Sequence, residues 1–587
     1  MTDVLFKKVD YTLKKLVEDI DMGEIGLPDI QRPFVWSTSK VRDLFDSMYR
    51  GYPIGYLLFW ENGYSDEHKV IGAKKKQKVS RLLIVDGQQR LTSLYAVIKA
   101  VPIIGKDFRP HNIRIAFHPR EGKFEVTNPA IEKDAEWISD ISELWKPNTS
   151  IFTFVNTFLQ RLKAKHDRLV ANENYIANAI TRLEKLLDYP LTALEVSSSV
   201  NEDQVAEIFV RINSKGTPLN QADFILTLMS IFWDKGRAEL EEFCRRAKVP
   251  PTDDAYSPFN HYLRPNPDQL LRVSVALGFR RARLEHVYSL LRGKDLQTRQ
   301  FSVEQRERQF AVLQQAQTYT LDLKNWHEFF KVLKRAGYQS NKLISSQLAL
   351  LYTYAIWLVG KRDFSVDLFH LREVMAQWFF MVALTGRYTS SAESRMEQDL
   401  AILRSVNTSE AFVKVLNEQI DAVLTRDYWE VTLPNDLETA AARNTGQFAY
   451  YAALCLFDAR VLFSKMKVSE LLEPSIKPIK AALERHHLFP RNYLQRIGIK
   501  ENRIVNQVAN YALVEWSDNI TISDRPPKDY VPEMEKRFSP DALQEMYKWH
   551  ALPEGWYKMD YLSFLEKRRK LIAQMIHNGY NKLKRGI

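Results

Sequence analysis

The hydrophobic and polar positions change their period along the chain, which predicts regions of different architecture. In residues 1–235, short apolar runs such as 82–86 alternate with amphipathic segments, as in an α/β or α+β fold. In 236–440 the apolar residues recur with a helical period, and 347–358 and 371–384 are apolar enough to pack against several neighbours. We therefore expect an α+β multidomain protein with an all-α middle region.

A third region, 441–587, ends in a basic helical segment with the sequence E-K-R-R-K at 566–570. The whole chain has 587 residues, more than one hydrophobic core supports. The sequence therefore predicts three domains, which are 1–235, 236–440 and 441–587.

Composition narrows the class of protein. The content of 45% hydrophobic and 26% charged residues is typical of a soluble globular protein, and no apolar run approaches the roughly 20 residues of a membrane span. The N-terminus has no secretory-signal pattern, so we expect a cytoplasmic protein. Only Cys244 and Cys455 are present, so a metal would need His, Asn or carboxylate ligands. The net charge of +11 favours a polyanionic partner.

The first polar motif is L-P-D-I-Q-R-P-F-V-W at 27–36, which contains Gln31 and Arg32. Two prolines stiffen this segment and remove backbone donors, which argues against a central strand. It precedes a predicted helix that Gly51 ends and whose apolar face consists of Val41, Leu44, Phe45, Met48 and Tyr49. We expect Gln31 and Arg32 on an exposed rim.

The second motif is L-L-I-V-D-G-Q-Q-R-L-T-S-L at 82–94, which predicts a buried strand, a tight turn and a helix. The free N–H groups of a helix N-terminus attract anions, and an arginine fork suits phosphate. Asp86 would hold a metal ion on that phosphate or orient a water; alternatively, it only caps the helix. The candidate anion-binding residues are Asp86, Gly87, Gln88, Gln89 and Arg90.

The third motif is E-I-F-V-R-I-N-S-K-G-T-P-L-N-Q-A-D-F at 207–224, which predicts a helix, a turn and a second helix. Arg211, Asn213 and Ser214 would cluster at one helix end, where they could contact a base, ribose or phosphate. A plain turn explains most of the pattern as well. The three motifs together carry more weight than any one of them.

In this order and spacing, the three motifs resemble the N-terminal domain of the GmrSD-type modification-dependent (type IV) restriction endonucleases, over about the first 235 residues. That domain is related to the ParB and sulfiredoxin folds and is associated with nucleotide hydrolysis and with sensing modified DNA. The resemblance implies an α/β domain in which residues 86–90 match the nucleotide motif. Gln31 and Arg32 match the early polar pair and are the DNA-sensing candidates.

Near the C-terminal end, E-R-H-H-L-F-P-R at 484–491 places His486 and His487 side by side. A one-metal nuclease needs a divalent cation on the scissile phosphate and a neutral imidazole that takes a proton from the attacking water. Adjacent strand residues point to opposite sides, but at a strand end or bulge both can reach one site. His486 would then bind the metal and His487 would be the general base. The alternative is a His pair in a surface turn.

The downstream stretch V-A-N-Y-A-L-V-E-W-S-D-N-I-T-I at 508–522 completes the pattern. It predicts a strand A-L-V-E-W after Asn510 and a helix that starts at Ser517 or Asp518 and carries Asn519. Strand, loop, strand and helix is the layout of a ββα-metal finger. Asn519 would complete the protein ligands of a hard cation such as Mg²⁺, which keeps water and phosphate at its other positions.

This segment resembles the HNH endonucleases, specifically the C-terminal nuclease domain of GmrSD-type proteins, over roughly 441–587. The resemblance implies that His486 and Asn519 are the metal ligands, that His487 is the general base, and that Asn510 holds the loop and orients the base. The Cys-x-x-Cys zinc pairs that flank many HNH domains are missing, so loop rigidity must come from packing.

The two resemblances together imply a nucleotide-regulated DNA endonuclease of anti-phage defence that depends on Mg²⁺ or Mn²⁺ and cuts or nicks foreign, modified phage DNA. The first domain would bind and hydrolyse a nucleoside triphosphate, with GTP the leading choice, and the middle helices would couple it to the HNH domain. Assembly into a homo-oligomer is left open. The alternatives are a ParB-like nucleotide-switched DNA-binding protein with a non-catalytic HNH clamp, and an RNA-directed toxin nuclease.

Overall fold

The structure is a computed structural model that describes residues 5–26, 34, 36–61, 80–105, 110–165, 173–200, 204, 205, 208, 221–251, 256–295, 298, 302–441, 443–472 and 484–586. The chain divides into two compact units, Met1–Ala238 and Glu239–Ile587. The predicted α+β class is confirmed, with a mixed sheet near the N-terminus. The predicted middle and C-terminal domains lie within one unit, and their separation stays a prediction. In the described part of the chain, no helix is long and apolar enough to cross a membrane.

The described residues of the first unit form a five-stranded mixed sheet with the order β1 (Phe6–Thr12), β9 (Pro190–Val196), β3 (Leu57–Glu61), β4 (Leu82–Asp86) and β2 (Ile25–Gly26). Strand β9 pairs antiparallel with β1 and parallel with β3, while β4 pairs antiparallel with β3 and parallel with β2. Two further pairs, β5–β6 and β7–β8, are antiparallel. The strands are β1 (Phe6–Thr12), β2 (Ile25–Gly26), β3 (Leu57–Glu61), β4 (Leu82–Asp86), β5 (Ile103–Ile104), β6 (Pro110–His111), β7 (Ile115–His118), β8 (Lys123–Val126) and β9 (Pro190–Val196).

Both faces of this sheet are covered, because successive residues of its strands join different apolar clusters. Leu57 and Phe59 of β3 belong to the large core, whereas Leu58 packs with Val85 of β4 in a smaller cluster on the other face. This explains why β4 reads as a continuous apolar run. The helices of the unit are α1 (Leu13–Asp21), α2 (Thr38–Tyr49), α3 (Gln88–Lys99), α4 (Pro129–Lys133), α5 (Ile151–Lys165), α6 (Glu173–Glu184) and α7 (Gln221–Phe232).

From Glu239 to Leu472 the described residues form helices and no named strand, in agreement with the predicted all-α middle region. Helices α13 and α14 are buried over most of their length, which confirms the helices expected at 347–358 and 371–384. The helices are α8 (Asp234–Lys248), α9 (Pro267–Phe279), α10 (Leu284–Leu291), α11 (Val303–Leu321), α12 (Leu323–Arg335), α13 (Gln347–Arg362), α14 (Leu368–Thr385), α15 (Ala392–Ile402), α16 (Ser409–Val423), α17 (Leu433–Asp436), α18 (Thr445–Leu456) and α19 (Val468–Leu471).

Between Glu484 and Gly586, the described residues contain one antiparallel strand pair together with helices. Strands β10 (Glu484–His487) and β11 (Tyr511–Val514) pair in a register that places His486 opposite Ala512 and His487 opposite Tyr511. The helices are α20 (Arg491–Arg496), α21 (Asn502–Val505), α22 (Trp516–Ile522), α23 (Pro527–Glu535), α24 (Pro540–Trp549) and α25 (Tyr561–Lys584).

The boundaries of β11 and α22 differ from the predicted ones. The strand ends at Val514, and Glu515 is extended at the N-cap of the helix. Helix α22 therefore begins at Trp516 and not at Ser517 or Asp518. Asn519 lies on this helix as predicted, and it is in the first turn.

Candidate functional site

The paired histidines lie at the end of strand β10, where the alternation of a strand directs their side chains to opposite faces. His487 shares a face with Tyr511, its partner in the register, and the two rings are 4.5 Å apart between centroids. His486 lies on the other face, is 5% exposed, and has its ring edge-on to Tyr530. Each imidazole therefore has its own surroundings.

His486 and Asn519 are brought together across the strand–helix junction. The Nδ1 atom of His486 lies 2.6 Å from the Oδ1 atom of Asn519, which α22 presents to β10. Because Oδ1 accepts, the proton of the neutral imidazole lies on Nδ1 when no metal is bound, and a cation held by both residues would take the place of that proton. This is the pair that the sequence predicts as metal ligands, 33 residues apart in the chain.

The surroundings of His486 keep its imidazole neutral. Burial lowers the pKa of His486 to about 4, and the nearby His487 acts in the same direction. The Nε2 atom of His486 is buried and has no hydrogen-bond partner among the described residues. A neutral imidazole is the form that binds metals.

A divalent cation fits the donors of this pair in kind and number. Imidazole nitrogen and amide oxygen are both accepted ligands, and a Mg²⁺-like ion keeps several waters and substrate oxygens besides one or two protein ligands. Within the described ranges, no group of three or more His, Cys, Asp or Glu side chains could hold a metal. Among the described residues, the protein ligands of a cation at this place would be His486 and Asn519, with water and phosphate at its other positions.

His487 is oriented by a residue that the sequence reasoning missed. Its Nε2 atom lies 2.9 Å from Oδ1 of Asn506, and the hydroxyl of Tyr511 donates to the same oxygen at 3.3 Å. Since this oxygen accepts, Nε2 carries the proton and the lone pair of the neutral ring is on Nδ1. Asn506 follows α21 in a loop without hydrophobic period, so its position in the sequence gives no signal.

Asn510 fixes the turn between the two halves of the site. It is 0% exposed, its Oδ1 accepts from the N–H of Phe489 at 2.9 Å, and its Nδ2 donates to the carbonyls of Phe489 at 3.1 Å and Val505 at 2.9 Å. These bonds tie the residues after β10 to the residues before β11. The geometry agrees with a residue that holds the loop, while the direct contact with His487 comes from Asn506.

The second candidate region is the junction of β4 and α3. Asp86 ends the strand, Gly87 occupies the N-cap in a left-handed conformation with φ +94°, and no side chain caps the helix. Gln88, Gln89 and Arg90 form the first turn, as predicted. The backbone therefore has the strand–turn–helix geometry on which the nucleotide prediction depends.

Arg90 makes contacts that the sequence reasoning did not anticipate. Its guanidinium donates to the carbonyl oxygens of Ile54 at 2.6 Å and Tyr56 at 2.7 Å, and lies 3.3 Å from the carboxylate of Asp86. Burial lowers the pKa of Arg90, and Asp86 opposes that shift. In this arrangement Arg90 holds a neighbouring loop, and its assignment as a phosphate ligand stays a prediction.

Several predicted site residues lie outside the described part of the chain. These are the DNA-sensing candidates and the turn of the third motif, namely Gln31, Arg32, Arg211, Asn213 and Ser214. The structure therefore neither joins them to the β4–α3 junction nor separates them from it.

Two comparisons relate this chain to known proteins, one through its N-terminal part and one over nearly its whole length. Residues 13–230 match the family model described as the N-terminal domain of the GmrSD restriction endonuclease. Over 615 aligned residues the chain is 22% identical to an uncharacterized protein of Methanocaldococcus jannaschii, with 96% of this chain and 98% of that protein covered. The family match supports the relationship to the GmrSD restriction endonucleases for the first unit, and it does not reach the region of His486 and Asn519.

Proposed function

We propose that this protein is a divalent-metal-dependent DNA endonuclease of anti-phage defence with an HNH-type site on β10, β11 and α22. The observation that carries the proposal is the close pair of His486 and Asn519 beside His487 on a strand–strand–helix unit. The match of residues 13–230 to restriction endonucleases independently favours DNA as the substrate.

Because His486 and His487 are the last two residues of β10, the proposal places the scissile phosphate at the end of the strand, where side chains from both faces can reach it. His486 and Asn519 would hold Mg²⁺ or Mn²⁺, which would supply charge stabilisation at the scissile phosphate. His487 takes a proton from water through Nδ1, because its Nε2 carries the ring proton and donates a hydrogen bond to Oδ1 of Asn506. Asn510 keeps the turn rigid through its three backbone contacts, so that these two groups stay aligned.

The first unit is proposed to bind a nucleoside triphosphate and to recognise modified phage DNA. The N-cap at Gly87 leaves the start of α3 without a side-chain cap, and Asp86 is adjacent, which suits a phosphate and its metal ion. GTP is the leading nucleotide, and Gln31 and Arg32 are the candidates for DNA sensing. Nucleotide turnover would control the nuclease, because an unrestrained nuclease endangers host DNA.

A plasmid assay tests the proposal. Supercoiled plasmid and modified phage DNA are incubated with the full chain and Mg²⁺, Mn²⁺ or EDTA, with GTP, ATP, CTP or no nucleotide. We expect metal-dependent nicked or linear products that EDTA abolishes, and a rate that changes with one nucleotide. DNA binding without scission would favour the non-catalytic clamp instead, and cleavage confined to RNA would favour the toxin nuclease.

A further inference from the structure

The terminal helix α25 carries a fully buried arginine. Arg568 is 0% exposed, and its guanidinium donates to three backbone carbonyls: His550 at 3.1 and 3.3 Å, Ala509 at 2.6 Å and Tyr511 at 2.8 Å. Burial lowers the pKa of Arg568, and the interactions that oppose this shift come from tyrosines. Among the described residues, no carboxylate lies within ion-pair distance of it.

A buried cation without a counter-charge is a costly way to fill a core. Removing an ion from water costs several kcal/mol even after relaxation, and an apolar side chain of similar volume often stabilises such a site. The carbonyl dipoles offset part of that cost at Arg568. Phe564 and Ile572 on the same helix are also buried, but Arg568 differs from them because it donates hydrogen bonds to backbone carbonyls.

Two other side chains of α25 contact the same loop. The hydroxyl of Tyr561 donates to the carbonyls of Ile504 at 3.0 Å and Val505 at 3.3 Å. Arg569 donates to Oε1 of Gln507 at 2.9 Å. Together with Arg568, these side chains hold the segment 504–511 at its start, middle and end. We call this segment the site loop.

We propose that α25 is the scaffold of the site loop and that Arg568 is a positioning residue for His487, which rests on the proposed nuclease function. The site loop carries Asn506, which contacts His487, and it ends at Tyr511, which pairs with His487 in the strand register. Arg568 fixes the carbonyls on both sides of Asn510 and thereby the pleat that sets these contacts. In the absence of Cys-x-x-Cys zinc pairs, the helix supplies the rigidity of the loop.

The basic side chains at 567–569 differ in whether they contact the site loop. Arg568 and Arg569 are directed at the site loop, whereas Lys567 is exposed. Lys567→Met is therefore a matched control: it removes one positive charge from the same helix, one residue from Arg568, without removing a contact with the loop.

The experiment compares Arg568→Lys, Arg568→Met, Tyr561→Phe and Lys567→Met in the full chain. Plasmid nicking with Mn²⁺ at a series of DNA concentrations gives kcat and KM, and hydrogen–deuterium exchange gives the protection of peptides from 504–511. We expect Arg568→Lys to lower kcat at least about tenfold with KM nearly unchanged, since misplaced catalytic groups lose rate more than binding. Exchange in 504–511 rises in parallel, Tyr561→Phe changes both less, and Lys567→Met leaves both as in the wild type.

The outcomes separate the scaffold from the nuclease. Wild-type exchange in 504–511 of Arg568→Lys overturns the proposal, as does a kcat that falls only in proportion to the folded fraction, measured by exchange in α13 and α14. If the wild type nicks no DNA, the proposed function fails and the exchange of the loop alone decides whether α25 is its scaffold. If Arg568→Met does not fold, Arg568→Lys and Tyr561→Phe carry the comparison.

Discussion

The junction of β4 with α3 and the junction of β11 with α22 are both places where a polar residue enters the first turn of a helix, but they use that residue differently. At the first junction, Arg90 turns back to the carbonyls of Ile54 and Tyr56. At the second, Asn519 faces the imidazole of His486. A polar residue in a motif can bond to backbone carbonyls or to another polar side chain, and only its partners in space show which.

The largest expected effect concerns His487, the proposed general base beside the pair of His486 and Asn519. His487→Ala is expected to lower strand scission about 10²- to 10⁴-fold with DNA binding kept, because a general base contributes about that much. Asn506→Ala should lower the rate of scission about tenfold, since the imidazole of His487 is still present but loses the contact that orients it. Plasmid nicking and a gel-shift assay measure the two properties.

His370→Ala is the control for His487→Ala, since His370 is exposed on α14. If His487→Ala cuts DNA at the wild-type rate, another group is the base, and the proposed role of the β10 histidines is wrong.

The next effect concerns a residue that only holds the fold. Asn510→Ala removes the bonds to the N–H and the carbonyl of Phe489 inside the core, and the carbonyl of Val505 keeps its bond from Tyr561. We expect the free energy of unfolding of the second unit to fall by about 2–5 kcal/mol, since each unmade buried bond costs about 1–3 kcal/mol. Asn492→Ala, at an exposed position of α20, should change it by less than about 0.5 kcal/mol. Urea unfolding measures both, and equal values would show that the turn does not depend on Asn510.

The first junction is tested with a matched pair of glycines. Gly87 and Gly51 both have positive φ, +94° and +78°, but an added Cβ at Gly87 would overlap Leu57 whereas nothing lies within 4 Å of one at Gly51. Gly51→Ala should cost about 1 kcal/mol for the backbone alone. Gly87→Ala should cost about 1–3 kcal/mol more for the displaced neighbours. Thermal unfolding compares them, and equal costs would mean that the β4–α3 junction is loosely packed.

The smallest effect is a pH dependence of the second unit. His550 is 0% exposed, its Nε2 contacts the carbonyl of Arg460 at 2.9 Å, and burial lowers its pKa to about 4 from 6.5. The unfolded state therefore binds the proton more readily, so stability is full above pH 6.5 and is lost as pH falls towards 4.

For His550 we expect a loss of about 2 kcal/mol between pH 7 and pH 5. In His550→Gln, the loss of unfolding free energy between pH 7 and pH 5 should be smaller by about 2 kcal/mol, whatever the effect of the substitution at pH 7. An unchanged slope would assign the acid sensitivity to other groups.

The local architecture was predictable where the period of apolar residues was strong. The apolar face of α2 and the strand–turn–helix at 82–94 follow directly from spacing, and the structure confirms both. The start of α22 was placed one to two residues late, because Ser517 and Asp518 are typical of a helix start whereas the N-cap in the structure is Glu515, which makes no side-chain cap bond. His486 and Asn519 were foreseen as a pair from their residue types and order.

The contacts of arginine were not predictable in the same way. The string E-K-R-R-K at 566–570 contains no residue type that marks one member as buried. The helical period of Tyr561, Phe564, Leu565 and Ile572 does place residue 568 on the apolar face, and this signal was available. Arg90 offered no such signal, because its acceptors are backbone carbonyls on a loop more than 30 residues earlier.

The register of β10 against β11 has a consequence for the identity of the two imidazoles. A slip of one residue would move one histidine into the place of the other and bring a different residue into the vacated place, so the pair depends on this register. The amide of Asn510, which bonds to both the N–H and the carbonyl of Phe489 just after β10, is one contact that supports this alignment. In the proposed site, the different roles of two identical side chains would thus follow from the pairing of the backbone.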